Sequence, residues 1–103
     1  MLGGVFDVIA EPHRRRILDL LCERDLAVGE IVAALQISQP AVSKHLRVLR
    51  DAGLVVASVD AQRRVYRLES GPLRVLDDWL RPYRRAWGAR LDTLERHLDT
   101  MPD

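Results

Sequence analysis

Apolar positions along the chain change their spacing three times, and each change marks an element. Leu2 to Ala10 is a short apolar segment. Glu11-Pro12 then reads as an N-cap followed by proline at the first helical position, where its missing N–H does no harm. From there to Arg24, Ile17, Leu18 and Leu21 form a stripe at helical spacing. Val28 to Leu35 predicts a second short helix with Ile31, Val32 and Leu35 inward, and Gln36-Ile37 a tight turn. Ser38 is a good N-cap for a third helix running to Ala52, because its hydroxyl accepts an orphan N–H of the first turn. Val42, Leu46 and Leu49 recur there at i, i+4, i+7 and define one buried face. Gly53 follows in the position after the helix that favours a left-handed residue.

The period then falls to two. Val55, Val56 and Val59, then Val65, Tyr66 and Leu68, flank Asp60-Ala61-Gln62 and predict a two-stranded hairpin. A lone hairpin is marginal in water, so it must pack on the helices. Ser70-Gly71-Pro72 opens the last helix, about residues 72–100. Leu73, Leu76, Leu80, Tyr83, Trp87, Leu91, Leu94, Leu98 and Met101 lie along it at spacings of three and four, close to a heptad seam. Pro82 removes a backbone donor midway and predicts a kink near Arg81. The fold class expected is mainly α with a small β-hairpin: five helices in a winged helix-turn-helix, residues 1–103 forming one domain with its recognition unit at about 28–69.

Composition narrows the function. At 103 residues, 48% hydrophobic and 30% charged, the chain is a globular domain with little room for a second, catalytic one. One cysteine excludes an internal disulfide framework. Neither a membrane-spanning apolar run nor a basic secretory n-region is present, so a reduced cytoplasmic protein is expected. The net charge of +1 becomes informative only when divided. Residues 1–35 carry four Arg against six acids, residues 36–69 six basic residues against three acids, and residues 70–103 six of each. The basic excess sits in the middle third, as a phosphate backbone requires.

That third also holds the functional candidates. With Val42, Leu46 and Leu49 buried, the opposite face of the third helix presents Gln39, Pro40, Ser43, Lys44 and Arg47. Gln can bond adenine and Arg guanine through two atoms each, while Ser38, Ser43 and Lys44 suit phosphates. His45 lies off this stripe and is expected as a flanking or phosphate contact. Arg63 and Arg64, near the hairpin tip, would reach a neighbouring backbone or minor groove. Taken singly, such a face is the ordinary solvated side of a helix; its coincidence with the helix-turn-helix-hairpin order points to double-stranded DNA. Arg14, Arg15 and Arg16 form a basic run better read as a solvated helix start.

The runs EPHRRRILDLL, VGEIVAALQISQPAVSKHLRVLRDAGLV and RRVYRL resemble the ArsR family of winged-helix bacterial repressors over about residues 5–100. SQPAVSKHLRVLRDAGLV is the specific part. The resemblance implies a dimeric repressor, an operator near a promoter, and release of DNA on a signal. It also implies dimerisation through the first and last helices, here Val5 and the seam Leu73, Leu76, Leu80, Tyr83, Trp87, Leu91, Leu94 and Leu98. Three positions depart from the pattern: Gln36 stands where glycine is usual in the turn, Ala27 where a Ser or Thr cap is usual, and the hairpin tip lacks glycine.

Metal sensors of this family carry Cys-x-Cys before or at the recognition unit, or Asp-x-His with a distant His and Glu on the last helix. Ile31 to Leu35 hold neither Cys nor His, and the last helix offers His97 with Asp92, Glu95 and Asp99. Zinc wants about four ligands, and His13, Cys22, His45 and His97 are scattered, so no cofactor is expected and no metal regulation. Cys22, beside a buried stripe, is expected as a small core residue rather than a redox switch. Enzyme readings fail: the serines have no glycine-rich elbow, the histidines no carboxylate at a suggestive spacing, and no phosphate loop is present. The rival is a protein-docking module, which salt discriminates, since DNA binding weakens steeply with salt and apolar docking does not.

Overall fold

A computed structural model describes the backbone of residues 2–100 and the side chains of residues 4–98; Met101, the last position of the seam, lies outside them. In chain order the elements are α1 (Leu2–Ile9), α2 (Pro12–Glu23), β1 (Leu26–Ala27), α3 (Val28–Leu35), α4 (Gln39–Asp51), β2 (Val55–Asp60), β3 (Arg63–Leu68) and α5 (Gly71–Thr100). This is the expected winged helix-turn-helix with five helices, and the predicted boundaries hold to within a residue or two.

The caps explain the boundaries. Glu11 accepts from the Arg14 N–H at 3.0 Å at the start of α2, and Ser38 Oγ accepts from the Ala41 N–H at 3.2 Å at the start of α4. At the end of α4 the Leu54 N–H reaches the Leu49 carbonyl and the Gly53 N–H reaches Arg50, both at 2.9 Å. That pairing is a Schellman closure, and it requires the left-handed φ of +75° that Gly53 adopts. Gln36 ends α3 with a simpler left-handed cap, φ +58°, its N–H on the Val32 carbonyl at 2.8 Å. Without glycine's freedom this conformation costs roughly 1–2 kcal/mol. Ala61 at the hairpin tip also sits at φ +58°.

Two features depart from the sequence expectation. The sheet has three strands in the order β1-β3-β2, because Leu26 pairs with Tyr66 and Ala27 with Val65. A two-residue strand is too short to carry an alternating pattern, so only the fold reveals it. The uncapped Ala27 is also compensated. Glu30 reaches back to accept from the Ala27 N–H at 3.0 Å, so one of the orphan donors is satisfied from inside the helix. As for Pro82, α5 continues as one helix through it.

The core gathers Ile17, Leu18 and Leu21 of α2, Ile31 and Leu35 of α3, Val42, Leu46 and Leu49 of α4, and Leu26, Leu54, Val55 and Tyr66 around the sheet. Val5 is buried within this same protomer, and Leu73 packs partly against the core. The resemblance implies a dimer interface for both; within one chain, the first turn of α5 already packs in part against the body. Beyond it α5 projects. A radius of gyration of 18.4 Å, with a longest extent of 63 Å, compares with about 13 Å for a compact chain of 100 residues.

Candidate nucleic-acid interface

α4 is divided lengthwise by its sequence. Val42 and Leu49 are wholly buried and Leu46 nearly so, which anchors the helix and orients everything else on it. Ser38, Gln39, Pro40, Ser43, Lys44 and Arg47 are all exposed, on the turn leading in and along the outward side. Between this side and the wing lies an open cleft of ≈ 400 Å³ lined by Ser43, Arg47, Arg50, Asp51, Arg64 and Tyr66. Arg64 rests over the Tyr66 ring, 5.9 Å from its centroid, which holds the guanidinium at the cleft edge. Three arginines against one aspartate make the cleft cationic.

The two wing arginines are not equivalent. Arg63 turns to the flank of the body, where it meets Glu30 at 2.9 Å, and Glu30 also pairs with Arg24 at 3.1 Å. The Ala27 N–H, then the two arginines, hold the Glu30 carboxyl below its usual range, outweighing its partial desolvation. Arg64 therefore joins the recognition helix directly, and Arg63 is clasped to α3. Sequence reasoning missed Arg50, which lines the cleft one turn beyond Arg47.

The basic run of α2 is a largely exposed helix start, as expected, and its guanidinium groups also bond backbone carbonyls. Arg14 Nε donates to the Val8 carbonyl at 2.7 Å, Arg15 to Ile9 and Ala10 at 2.8 and 2.9 Å, and Arg16 to Ala34 at 3.0 Å. These are orphan carbonyls at the ends of α1 and α3, so the run ties helix termini together.

His45 is likewise drawn away from the reading face. It is half-buried, stacked on His13 with ring centroids 5.6 Å apart, and its Nδ1 stands 3.8 Å from Glu11 Oε2. This packing leaves the side chain, expected as a flanking or phosphate contact, only 16% exposed. It also overturns the expectation that the histidines are scattered and lack a carboxylate: Glu11, His13 and His45 bring ligand atoms within 4.8 Å of one another. Burial pushes the His45 imidazolium's pKa down, against the pull of Glu11. Burial would raise the Glu11 carboxyl, but the Arg14 N–H, His13 and His45 bring it below its usual value. Cys22 is exposed and not the core residue expected, since the stripe turns inward at Leu21 and the next residue faces out.

A second surface is apolar. Phe6, Val75, Trp79, Tyr83, Trp87, Leu91, Leu94 and Leu98 are exposed along α1 and α5, Trp87 at 71%. Phe6 meets the Trp79 ring edge-on at 5.4 Å, so α1 and α5 present one continuous face. Val75 and Trp79 belong to it although they lie outside the heptad seam. Leu76 and Leu80 are half-buried beside it.

A helix-turn-helix whose second helix buries one face and presents a polar, cationic one beside a β-wing defines a winged helix-turn-helix DNA-binding protein. The model of the bacterial regulatory protein arsR family matches residues 11–56. The HTH-type transcriptional regulator Rv2034 of Mycobacterium tuberculosis is 42% identical over 69% of this chain and 66% of its own length, just under two thirds. The transcriptional repressor SdpR of Bacillus subtilis is 34% identical over 77% of this chain and 88% of its own. An ArsR-like transcriptional regulator from Rhodococcus sp. RHA1 superposes with a TM-score of 0.72 at 26% identity, covering 97% of this chain and 94% of that one. The chain belongs to the ArsR family and is a DNA-binding transcriptional regulator, in a family of regulators rather than enzymes.

Proposed function

We propose that the chain is a single domain that acts as a homodimeric, sequence-specific repressor on operator DNA in the cytoplasm. The observation that carries this reading is the lengthwise division of α4, buried on Val42, Leu46 and Leu49 and open on Gln39, Ser43, Lys44 and Arg47 beside a cationic cleft. α4 enters the major groove, with Gln39 and Arg47 on base edges and Pro40 in apolar contact at its start. Ser38, Ser43 and Lys44 meet phosphates. Arg64 reaches the flanking backbone from the cleft edge, and Arg63 joins it by exchanging Glu30 for a phosphate.

The bare faces of α1 and α5 pair about a two-fold axis, setting the two copies of α4 about one helical turn apart. Apolar surface of this extent is not left wet by a soluble monomer. SdpR and the SmtB of Mycobacterium tuberculosis are named repressors and support repression, while HlyU of Vibrio cholerae, a named activator, keeps activation as the alternative. Among the described residues no helix is long and apolar enough to cross a membrane. Thiolate metal sensing is no part of the mechanism, because a dimer of this chain holds only two cysteines and a soft-metal site wants more sulfur. Protection of bases on the promoter of its own gene, repeated across a salt series, tests the reading. Expected is a two-fold footprint whose affinity falls steeply as salt rises; salt-independent binding would turn the assignment to a protein-docking module.

A further inference from the structure

The fold assembles three residues between α2 and α4, away from the exposed reading side of α4. We propose that Glu11, His13 and His45 form a binding site for a first-row divalent cation of the zinc class, two nitrogens and one carboxylate oxygen, with water completing the coordination. Glu11 and His13 come from the N-cap and first turn of α2, and His45 from the middle of α4, so the ion would clamp the start of one helix to the flank of the other.

The geometry supports this in three ways. His13 Nδ1 is already 3.1 Å from Glu11 Oε1. His45 Nδ1 is buried without a hydrogen-bond partner, and at 3.8 Å from Glu11 Oε2 it is too far to make one. A lone pair or a proton is therefore held at this point with nothing to meet it. The ligand atoms lie within 4.8 Å of one another, whereas a tetrahedral ion with bonds near 2 Å brings its donors to roughly 3.3 Å. A closure of up to about 1.5 Å suffices, and the His13 side chain, 45% exposed, has room to swing through it.

The chemistry of the donors selects the ion. Two neutral imidazoles and one carboxylate leave a single negative charge, matched to a dication. Imidazole and carboxylate suit zinc, cobalt and nickel rather than cadmium or arsenite, which want thiolates. These residues are neither the Cys-x-Cys set nor the last-helix His and carboxylate set implied by the family resemblance. The inference is independent of the DNA reading, because it needs no operator and its test involves none.

The test is titration of the metal-free full-length chain with cobalt(II), followed by displacement with zinc, alongside thermal melts with and without zinc. Expected are one cobalt per protomer, visible ligand-field bands that zinc abolishes, and a zinc-dependent rise in Tm. Loss of even an outer partner weakens metal sites by about 10–100-fold, so His13→Ala and Glu11→Gln should each weaken zinc by at least about tenfold and remove the rise in Tm. His45→Gln should do the same, but it alters a half-buried position. If that variant fails to fold, His13→Ala, near the surface, decides the question. No cobalt binding into the high-micromolar range would overturn the proposal. So would binding undiminished in both His13→Ala and Glu11→Gln, which would put the ion elsewhere, around His97 for example.

Discussion

The body of the molecule and the outer half of α5 treat the same kind of residue in opposite ways. In α4, Val42, Leu46 and Leu49 recur at helical spacing and vanish into the core, none more than 1% exposed. In α5, Tyr83, Trp87, Leu91, Leu94 and Leu98 recur just as regularly and stay between 51% and 71% exposed. Regular apolar spacing therefore says that a face must be covered, and not by what. α4 is covered by α2, α3 and the wing of its own chain. A 30-residue helix is about 45 Å long, too long for a body this small to cover. Its outer half is left bare, and in the proposed dimer a second copy covers it, burial of apolar surface driving association as it drives folding.

That contrast can be broken most severely from inside the body. Leu46→Ala should cost about 2–5 kcal/mol, because a wholly enclosed side chain leaves a cavity that neighbours only partly fill. This is a large share of the roughly 5–15 kcal/mol that holds a domain folded. Urea unfolding at a protein concentration low enough to keep the chain monomeric measures it. Leu91→Ala at the same dilution should move the monomer's midpoint little, and an equal loss would mean that α5's outer face is covered within one chain.

Next comes the face itself. Leu91→Glu with Leu94→Glu should give a folded monomer and lower operator affinity by about 100-fold or more, since linked half-sites gain avidity of roughly 10²–10⁴. Sedimentation and operator binding on one preparation check both. A monomer at micromolar concentration without these changes would rule out the dimer.

The polar side of the body should answer to sequence where α5 answers to concentration. Arg47→Ala and Gln39→Ala should flatten base preference by about 1–3 kcal/mol at the pairs they read. Arg63→Ala should weaken all sequences alike and reduce the salt slope by roughly 0.9. The reverse pattern in a binding-site selection would reassign the recognition helix.

The smallest effect sharpens the turn between α3 and α4. Gln36→Gly should stabilise the chain by about 1 kcal/mol or slightly less, relieving a left-handed residue while loosening the unfolded chain. Ser38→Ala should destabilise by about 1 kcal/mol through loss of the cap to the Ala41 N–H. Thermal melts of the two single variants and the double variant separate these terms.

Local signals in the sequence sufficed for the helices and the hairpin and for the exposed side of α4. Period, caps and the glycine after α4 are properties of neighbours along the chain, so Ser38, Gly53 and the buried triplet of α4 could be read without any tertiary knowledge. The exposed face of α4 followed by subtraction. Resemblance to a family added the expectation of partner helices and an operator. Contacts between distant segments left no such trace. Two residues, Leu26 and Ala27, became a strand only because Tyr66 and Val65 came alongside them. Arg63 met Glu30 across 33 positions, and Arg16 met the Ala34 carbonyl across 18. Cys22 turned outward because a helix advances about 100° per residue, so standing next to Leu21 did not place it on the same face. Glu11, His13 and His45 could not be grouped beforehand, since 32 residues separate the two histidines and only the packing of α2 on α4 closes that gap. Spacing along one helix sets which side chains share a face; which faces meet is decided by how the whole chain buries its apolar surface.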